Sequence, residues 1–311
     1  MPPDLPSLDG LTHEERKSVT HGDFWIPEEE REKYKRAVGA LNRGGVPFVV
    51  TGAYAIYEYT GIYRETKDLD LFVEPEHVVP AMRLLREEGF QTRLEQAHWL
   101  AKATLGEHFV DLIFGMGNGL AMVDADWYRN SRPTIFAAHP VRVAPVEELI
   151  WHRLFIGERH RQDMADIAHL ILCQGQSLDW DRLLAKTGEH WPLLLGQLQI
   201  FHYVYPEAHG RVPREIMEIL LEHAREELNR DRTGEQVTRG TLISRFSFTI
   251  DVNEWGLYDL RQESVRLAER KPIIETIANS DVWDEKSQWV EEFIQRLREP
   301  ADGRHPPPPV L

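Results

Sequence analysis

Apolar positions recur along this chain with two periods, and the change from one to the other divides it. After Pro27 the run EEEREKYKRAVGALNRGG has acidic residues in its first turn, basic ones later and glycines at its end, the start and stop signals of a helix. VPFVV at 46–50, bounded by Gly45 and Gly52, is short and β-rich and reads as a buried strand, with AYAIYEY as a short helix after it. Asp68-Leu69-Asp70-Leu71-Phe72-Val73 reads as a second strand. Next, Val78, Met82 and Leu85 fall at i, i+4, i+7 of a helix closed by Gly89, in which Pro80 fits only the first turn. HWLAKAT and HFVDLIF flank Leu105-Gly106-Glu107 and predict a hairpin, and VRVAP at 141–145 closes this strand-bearing half.

Beyond it the period is helical. Val146, Leu149 and Ile150 mark one segment, and Met164, Ile167, Ala168 and Ile171 a second; DWDRLLAKTG and WPLLLGQLQIF follow. From Pro206 come a long helix, REIMEILLEHAREEL, an arginine-containing apolar run, RGTLISRFSFTIDV, and a last amphipathic helix around WVEEFIQRL. The pattern predicts an α+β fold, in which a small mixed β-sheet core flanked by helices is followed by a mainly helical C-terminal part. Its divisions are an N-terminal arm at 1–26, the core at 27–145, a helical unit at 146–205, a mainly helical C-terminal unit at 206–300 and a disordered tail at 301–311, where HPPPPVL packs as neither helix nor central strand. Trp180, Trp191 and Trp255 are expected to fill the core of the helical regions.

Composition narrows the class. With 311 residues, 42% of them hydrophobic, the chain buries a real core, and wholesale disorder is excluded. Lys and Arg total 36 against 51 Asp and Glu, a net charge of -15, so the surface repels a polyanion and any nucleic-acid contact is local. One cysteine, Cys173, allows no internal disulfide and no cysteine metal site. The start MPPDLPSLDGLTHEER has no basic stretch followed by an apolar one, and no window nears the roughly 18 apolar residues of a spanning helix. A cytoplasmic protein with no membrane partner is expected. The 14 histidines show no metal-protease spacing and read as structural or surface residues. Gly115, Gly117 and Gly119 read as a flexible loop beside the site rather than a dinucleotide fingerprint.

Three aspartates stand out. On a strand, positions i and i+2 project to one face about 6 to 7 Å apart, so Asp68 and Asp70 point together while Leu69, Leu71 and Val73 point into the core. Asp111, inside Phe109-Val110-Asp111-Leu112-Ile113-Phe114, is costly as an anion unless something cationic meets it. Two such charges about 5 Å apart repel by roughly 3 kcal/mol at an effective dielectric near 20. A hard divalent cation with oxygen ligands, such as Mg²⁺, reverses that sign. The plainer alternative makes Asp68 a strand-entry cap, Asp70 a partner of Lys67 or Lys102, and Asp111 an isolated ion-pair residue. Upstream, the small residues at Thr51-Gly52-Ala53 let backbone N–H groups approach a phosphate at a helix N-terminus. Between that turn and Asp68, Arg64 and Lys67 add cations near the same face.

Together these residues resemble the nucleotidyltransferase fold of the DNA polymerase β-like superfamily, whose pattern is a Gly-Gly or Gly-Ser turn, an apolar-framed D-x-D and a third apolar-framed carboxylate. TGAYAIYEYTGIYRETKDLDLFV, HWLAKA, VDLIFGMGNGL and EELIWHRLFIGERHRQDMADIAHL more narrowly resemble bacterial minimal nucleotidyltransferases akin to abortive-infection toxin enzymes, over about residues 45 to 205. The resemblance implies a metal-dependent nucleotidyltransferase moving a nucleoside monophosphate from a nucleoside triphosphate to a hydroxyl on a small molecule, an RNA end or a protein, with two Mg²⁺ ions and a toxin-like cognate regulator. It implies catalytic and metal-holding roles for Asp68, Asp70 and Asp111, a phosphate cradle at Thr51 and Gly52, and a cleft-closing role for residues 146–205. Arg153, Arg159, Lys67 and Lys102 become nucleotide contacts, with Asp163 orienting an arginine. On residues alone, Arg159, Asp163 and Asp166 at i, i+4, i+7 read as a solvated polar stripe on a helix around residue 160, and Lys102 as charge compensation for Asp111. Two departures mark the chain. Thr51 replaces the turn's first glycine, where its side chain either obstructs phosphate or donates to it, and the Gly52 to Asp68 spacing is long. The rival readings are a catalytically silent nucleotide-binding module of the same fold and a metal-dependent phosphohydrolase.

Overall fold

In the computed structural model, which describes residues 26, 28–64, 66–159, 161–231, 234, 236–261 and 268–298, the chain divides between Ala144 and Pro145 and again between Leu260 and Arg261. The stretches before the first point and after the second form one unit, and residues 145–260 form the other. Apart from Ile26, the expected arm lies outside the described residues, as does the expected tail.

The first unit is built on a mixed sheet. Its leading stretch supplies α1 (Glu28–Arg43), β1 (Val49–Val50), α2 (Gly52–Thr60), β2 (Asp68–Phe72), α3 (Pro75–Glu87), β3 (Gln91–Gln96), β4 (Leu100–Leu105), β5 (His108–Ile113), α4 (Ala125–Arg129), β6 (Arg132–Phe136) and β7 (His139–Val143). β2 pairs in parallel with β5 and antiparallel with β1; β4 lies antiparallel between β3 and β5. The predicted hairpin is β4–β5, with Gly106 at φ 67° in its turn, a left-handed conformation that glycine adopts without strain. Leu69, Leu71, Ala101, Ala103 and Leu112 are fully buried, and α3 covers β3 and β4 with Val78, Met82 and Leu85. Pro80 lies in the second turn of α3 rather than its first, so the carbonyl of Glu76 lacks its helical donor.

Residues 145–260 are mainly helical: α5 (Val146–Leu154), α6 (Met164–Gln174), α7 (Trp180–Thr187), α8 (Trp191–Val204), α9 (Arg214–Leu228) and α10 (Arg245–Asn253). Leu149, Ile150, Leu170, Ile171, Leu183, Leu194, Leu198 and Leu220 are buried within it. The expected helix around residue 160 begins only at Met164. Gly157–Glu158 and Arg161–Gln162 instead pair as a short antiparallel ladder with Arg159 in its turn, and the Gly157 N–H donates to the Ile243 carbonyl at 3.3 Å. The stripe expected from Arg159 to Asp166 therefore does not form, and Met164 is 44% exposed instead of buried. Trp180 does fill the core, but Trp255 is 63% exposed. The apolar run at 239–252 folds as a single 3-10 turn and α10, whose first turn is capped by the Ser244 hydroxyl accepting from Ser247 N–H.

The closing stretch, with α11 (Lys271–Ala278), β8 (Glu285–Lys286) and α12 (Gln288–Arg298), belongs to the sheet unit. β8 adds to β3 in parallel, giving the order β8-β3-β4-β5-β2-β1-β7-β6. The Phe293 ring stacks on the buried His98 at 4.7 Å. Arg261 donates to the carbonyl of Asn118 at 3.0 Å, and Arg270 to those of Gly119 and Leu120 at 3.0 and 3.2 Å. The glycine loop at 115–119, expected to be flexible, is thus pinned by two arginines more than 140 positions away in the chain. No helix among the described residues is long and apolar enough to cross a membrane.

Candidate active site

The parallel pairing of β2 with β5 sets Asp70 directly opposite Asp111, and the two-residue period of a strand brings Asp68 to the same face. Asp68, Asp70 and Asp111 each offer a carboxylate oxygen within 4.8 Å of the others, and no other such group of three occurs among the described residues. Asp68 and Asp70 are half-buried, whereas Asp111 is buried. Burial raises the Asp111 carboxyl above its ordinary value; Lys102 opposes that shift, and Asp68 adds to it. The cluster thus carries an electrostatic cost that a hard cation would remove.

Each carboxylate has its own support. Lys102, opposite Asp111 across β4–β5, donates to both of its oxygens at 3.0 and 2.8 Å. The Thr66 hydroxyl donates to Asp68 Oδ1. At Asp70, the backbone carbonyl accepts from Thr51 N–H at 2.9 Å, and the side chain lies against Gly52. Gly52 has φ 63°, and a Cβ there would fall 2.8 Å from Asp70 Cγ. Glycine is needed at that position for its conformation and for the approach of Asp70 alike. Thr51 is the buried N-cap of α2 and its side chain makes no capping bond, so the first-turn N–H groups have no side-chain cap.

Tyr34 of α1 and Tyr54 of α2 meet edge to face, with ring centroids 6.0 Å apart. Burial pushes both phenols well above their ordinary value; Glu30 and then Asp68 and Asp70 add to the shift at Tyr34. These phenols stay protonated.

Of the residues singled out from sequence, Thr51, Gly52, Asp68, Asp70, Lys102 and Asp111 come together. Lys67 is exposed one position before β2, with its carbonyl accepting from Phe109 N–H at 3.4 Å. Arg153, Arg159 and Asp163 lie in the other unit. There Arg153 is 7% exposed at the end of α5, its Nε 3.7 Å from Asp163 and 3.5 Å from Asp166. Asp163 also accepts from Arg161 at 3.3 Å, and Arg159 is exposed. Sequence reasoning missed Thr66, Glu30, Tyr34 and Tyr54. The Thr-x-Asp spacing of a local side-chain turn was a readable signal for Thr66. The tyrosines sit in ordinary amphipathic runs and carried none.

The family model described as an uncharacterised nucleotidyltransferase matches residues 31–204. Among solved structures, ANT(2'')-Ia in complex with adenylyl-2''-tobramycin is 18% identical over 51% of this chain and 94% of its own, with a TM-score of 0.39. Lincosamide antibiotic adenylyltransferase LnuA, lincomycin-bound, is 15% identical over 47% and 96%, with a TM-score of 0.34. JHP933 from Helicobacter pylori is 13% identical over 66% and 100%, also at 0.34. No curated protein matches the chain.

Proposed function

This chain belongs to the uncharacterised nucleotidyltransferase family, and on that premise we propose that it transfers a nucleoside monophosphate from a nucleoside triphosphate to an acceptor hydroxyl, with Asp68, Asp70 and Asp111 holding Mg²⁺. The observation that carries this reading is the convergence of three carboxylates within 4.8 Å on facing positions of β2 and β5. An all-oxygen donor set of this charge fits a hard divalent ion. Two bound Mg²⁺ ions would neutralise triphosphate charge and lower the pKa of the attacking hydroxyl.

The chain's own residues do the rest. The α2 N-terminus, capped at Thr51, offers the backbone N–H groups of Gly52 and Ala53 and the positive end of a helix dipole to the triphosphate. The acceptor oxygen forms a bond to the α-phosphorus, the bond from that phosphorus to the bridging oxygen breaks, and pyrophosphate leaves. Asp111 takes the hydroxyl proton. Thr66 holds Asp68 in place. In the helical unit, Asp163 pairs with both Arg153 and Arg161. Lys67, exposed at the start of β2, serves the triphosphate. A net charge of -15 favours a neutral or cationic hydroxylated small molecule over an RNA end, and a single cysteine suits a reducing cytoplasm.

The test is incubation with each α-labelled triphosphate, magnesium and a cell extract. Label should move to an acceptor with wild-type protein and stay in the triphosphate with Asp70→Asn that melts like wild type. Label released as free nucleotide would point to a phosphohydrolase, and tight triphosphate binding without turnover to a silent module; either result overturns the proposal.

A further inference from the structure

The Lys102 ammonium already uses both oxygens of the buried Asp111, at 3.0 and 2.8 Å. A divalent ion bound there would meet a fixed positive charge at hydrogen-bond range, and two cations on one carboxylate repel. Lys102 is also open to solvent. Its side chain is 30% exposed, and its Nζ lies 5.6 Å from the centroid of the Phe109 ring, whose face attracts an ammonium. We propose that Lys102 is a built-in competitor of the divalent ion at Asp111: it neutralises that carboxylate when no ion is bound and is displaced when one loads. The inference rests on the reading of Asp68, Asp70 and Asp111 as a divalent-ion site, and adds that the site's affinity is held down by a residue of its own.

The physical consequence is a sign that a positioning role would not produce. If Lys102 served to orient Asp111 for the ion, removing it would weaken ion binding. If it competes, removing it leaves the buried Asp111 without its ammonium partner, which strengthens ion binding and destabilises the ion-free protein. Lys102→Gln keeps a hydrogen-bond donor beside Asp111 without the charge, and Lys102→Met removes both.

The experiment titrates Mn²⁺, a hard oxygen-seeking substitute for Mg²⁺, into the full chain and reads free Mn²⁺ by electron paramagnetic resonance, with thermal melts in chelator and in excess Mn²⁺. Both Lys102 variants are expected to bind Mn²⁺ about tenfold more tightly than wild type. Each should melt lower than wild type in chelator and gain more from Mn²⁺. Wild-type binding that is lost in Asp70→Asn, together with equal or weaker binding in both Lys102 variants, overturns this proposal and leaves the divalent-ion reading standing. No binding by any of the proteins overturns both. Binding by the variants but not by wild type supports the competition, with Lys102 winning outright.

Discussion

Gly52→Ala puts a methyl group where Asp70 already stands. The new Cβ would lie 2.8 Å from Asp70 Cγ and 2.9 Å from its Cβ, against the roughly 3.5 to 4.0 Å of an ordinary carbon contact. Asp70 must therefore retreat from Gly52 by about 1 Å, changing its place among the three carboxylates, or α2 must shift. A second penalty comes from φ 63°, which costs an alanine on the order of 1 kcal/mol. The two effects separate cleanly, because Gly45 has a similar φ of 67° and nothing within 4 Å of a Cβ built on it. Gly45→Ala carries the conformational penalty alone, and a few degrees of melting temperature are its whole expected effect. Gly52→Ala should lose that and also about a hundredfold in nucleotidyl transfer, the usual cost of a 1 Å misplacement at a reacting centre. The assay is transfer from an α-labelled triphosphate at saturating magnesium, beside thermal melts of both variants. Transfer by Gly52→Ala within about threefold of Gly45→Ala would refute the reasoning, since Asp70 would then tolerate displacement or stand outside the chemistry.

Two further predictions concern buried charge. Burial raises the Asp111 carboxyl above its unfolded value of about 3.9, so its contribution favours the fold below that value and is lost as pH rises through the folded one. In chelator, Asp111→Asn should therefore gain melting temperature relative to wild type as pH is raised from about 4 to 7; a relative loss over that range would show that pairing with Lys102 outweighs burial. Glu148 of α5 is fully buried, paired with Arg182 and, at 3.1 Å, with Lys186. Glu148→Ala takes the carboxylate from Lys186 while Arg182 keeps Glu147 at 3.2 Å, and urea unfolding should show a loss of about 2 kcal/mol; a loss under about 0.5 kcal/mol would mean that both cations reach solvent.

What sequence could and could not show follows from the range of the interaction involved. Asp68, Asp70 and Asp111 were legible because each breaks a local rule: a carboxylate in an apolar strand run is costly, and three of them ask for a common cause. Lys102 was legible as a neighbour of Asp111 because a hairpin fixes its own register once the turn at Gly106 is seen. Other features have no local signature. β3 reads as the polar string QTRLEQ, and its place in the sheet depends on β4 and on β8 from the far end of the chain. The β6–β7 turn runs through Ala137 and Ala138, both at positive φ, where no glycine or asparagine announces it. Arg159 was misplaced for the opposite reason: its spacing to Asp163 and Asp166 fits a helix, but the backbone of Gly157 is claimed by Ile243 before that helix begins.

The site and its support therefore differ in kind. The carboxylates are fixed by a strand period and one parallel register, Asp70 opposite Asp111, which places two anions side by side wherever β2 and β5 pair. Support for the arrangement comes from elsewhere in the sheet unit: Lys102 from β4, Thr66 from the loop before β2, and the absent side chain of Gly52 from α2. A substitution in this second set leaves the D-x-D pattern intact in the sequence while changing the charge or the room around it. Altered ion affinity or transfer rate should for that reason follow from residues that a search for the aspartates alone would pass over, with Lys102 and Gly52 acting in opposite directions on the same cluster.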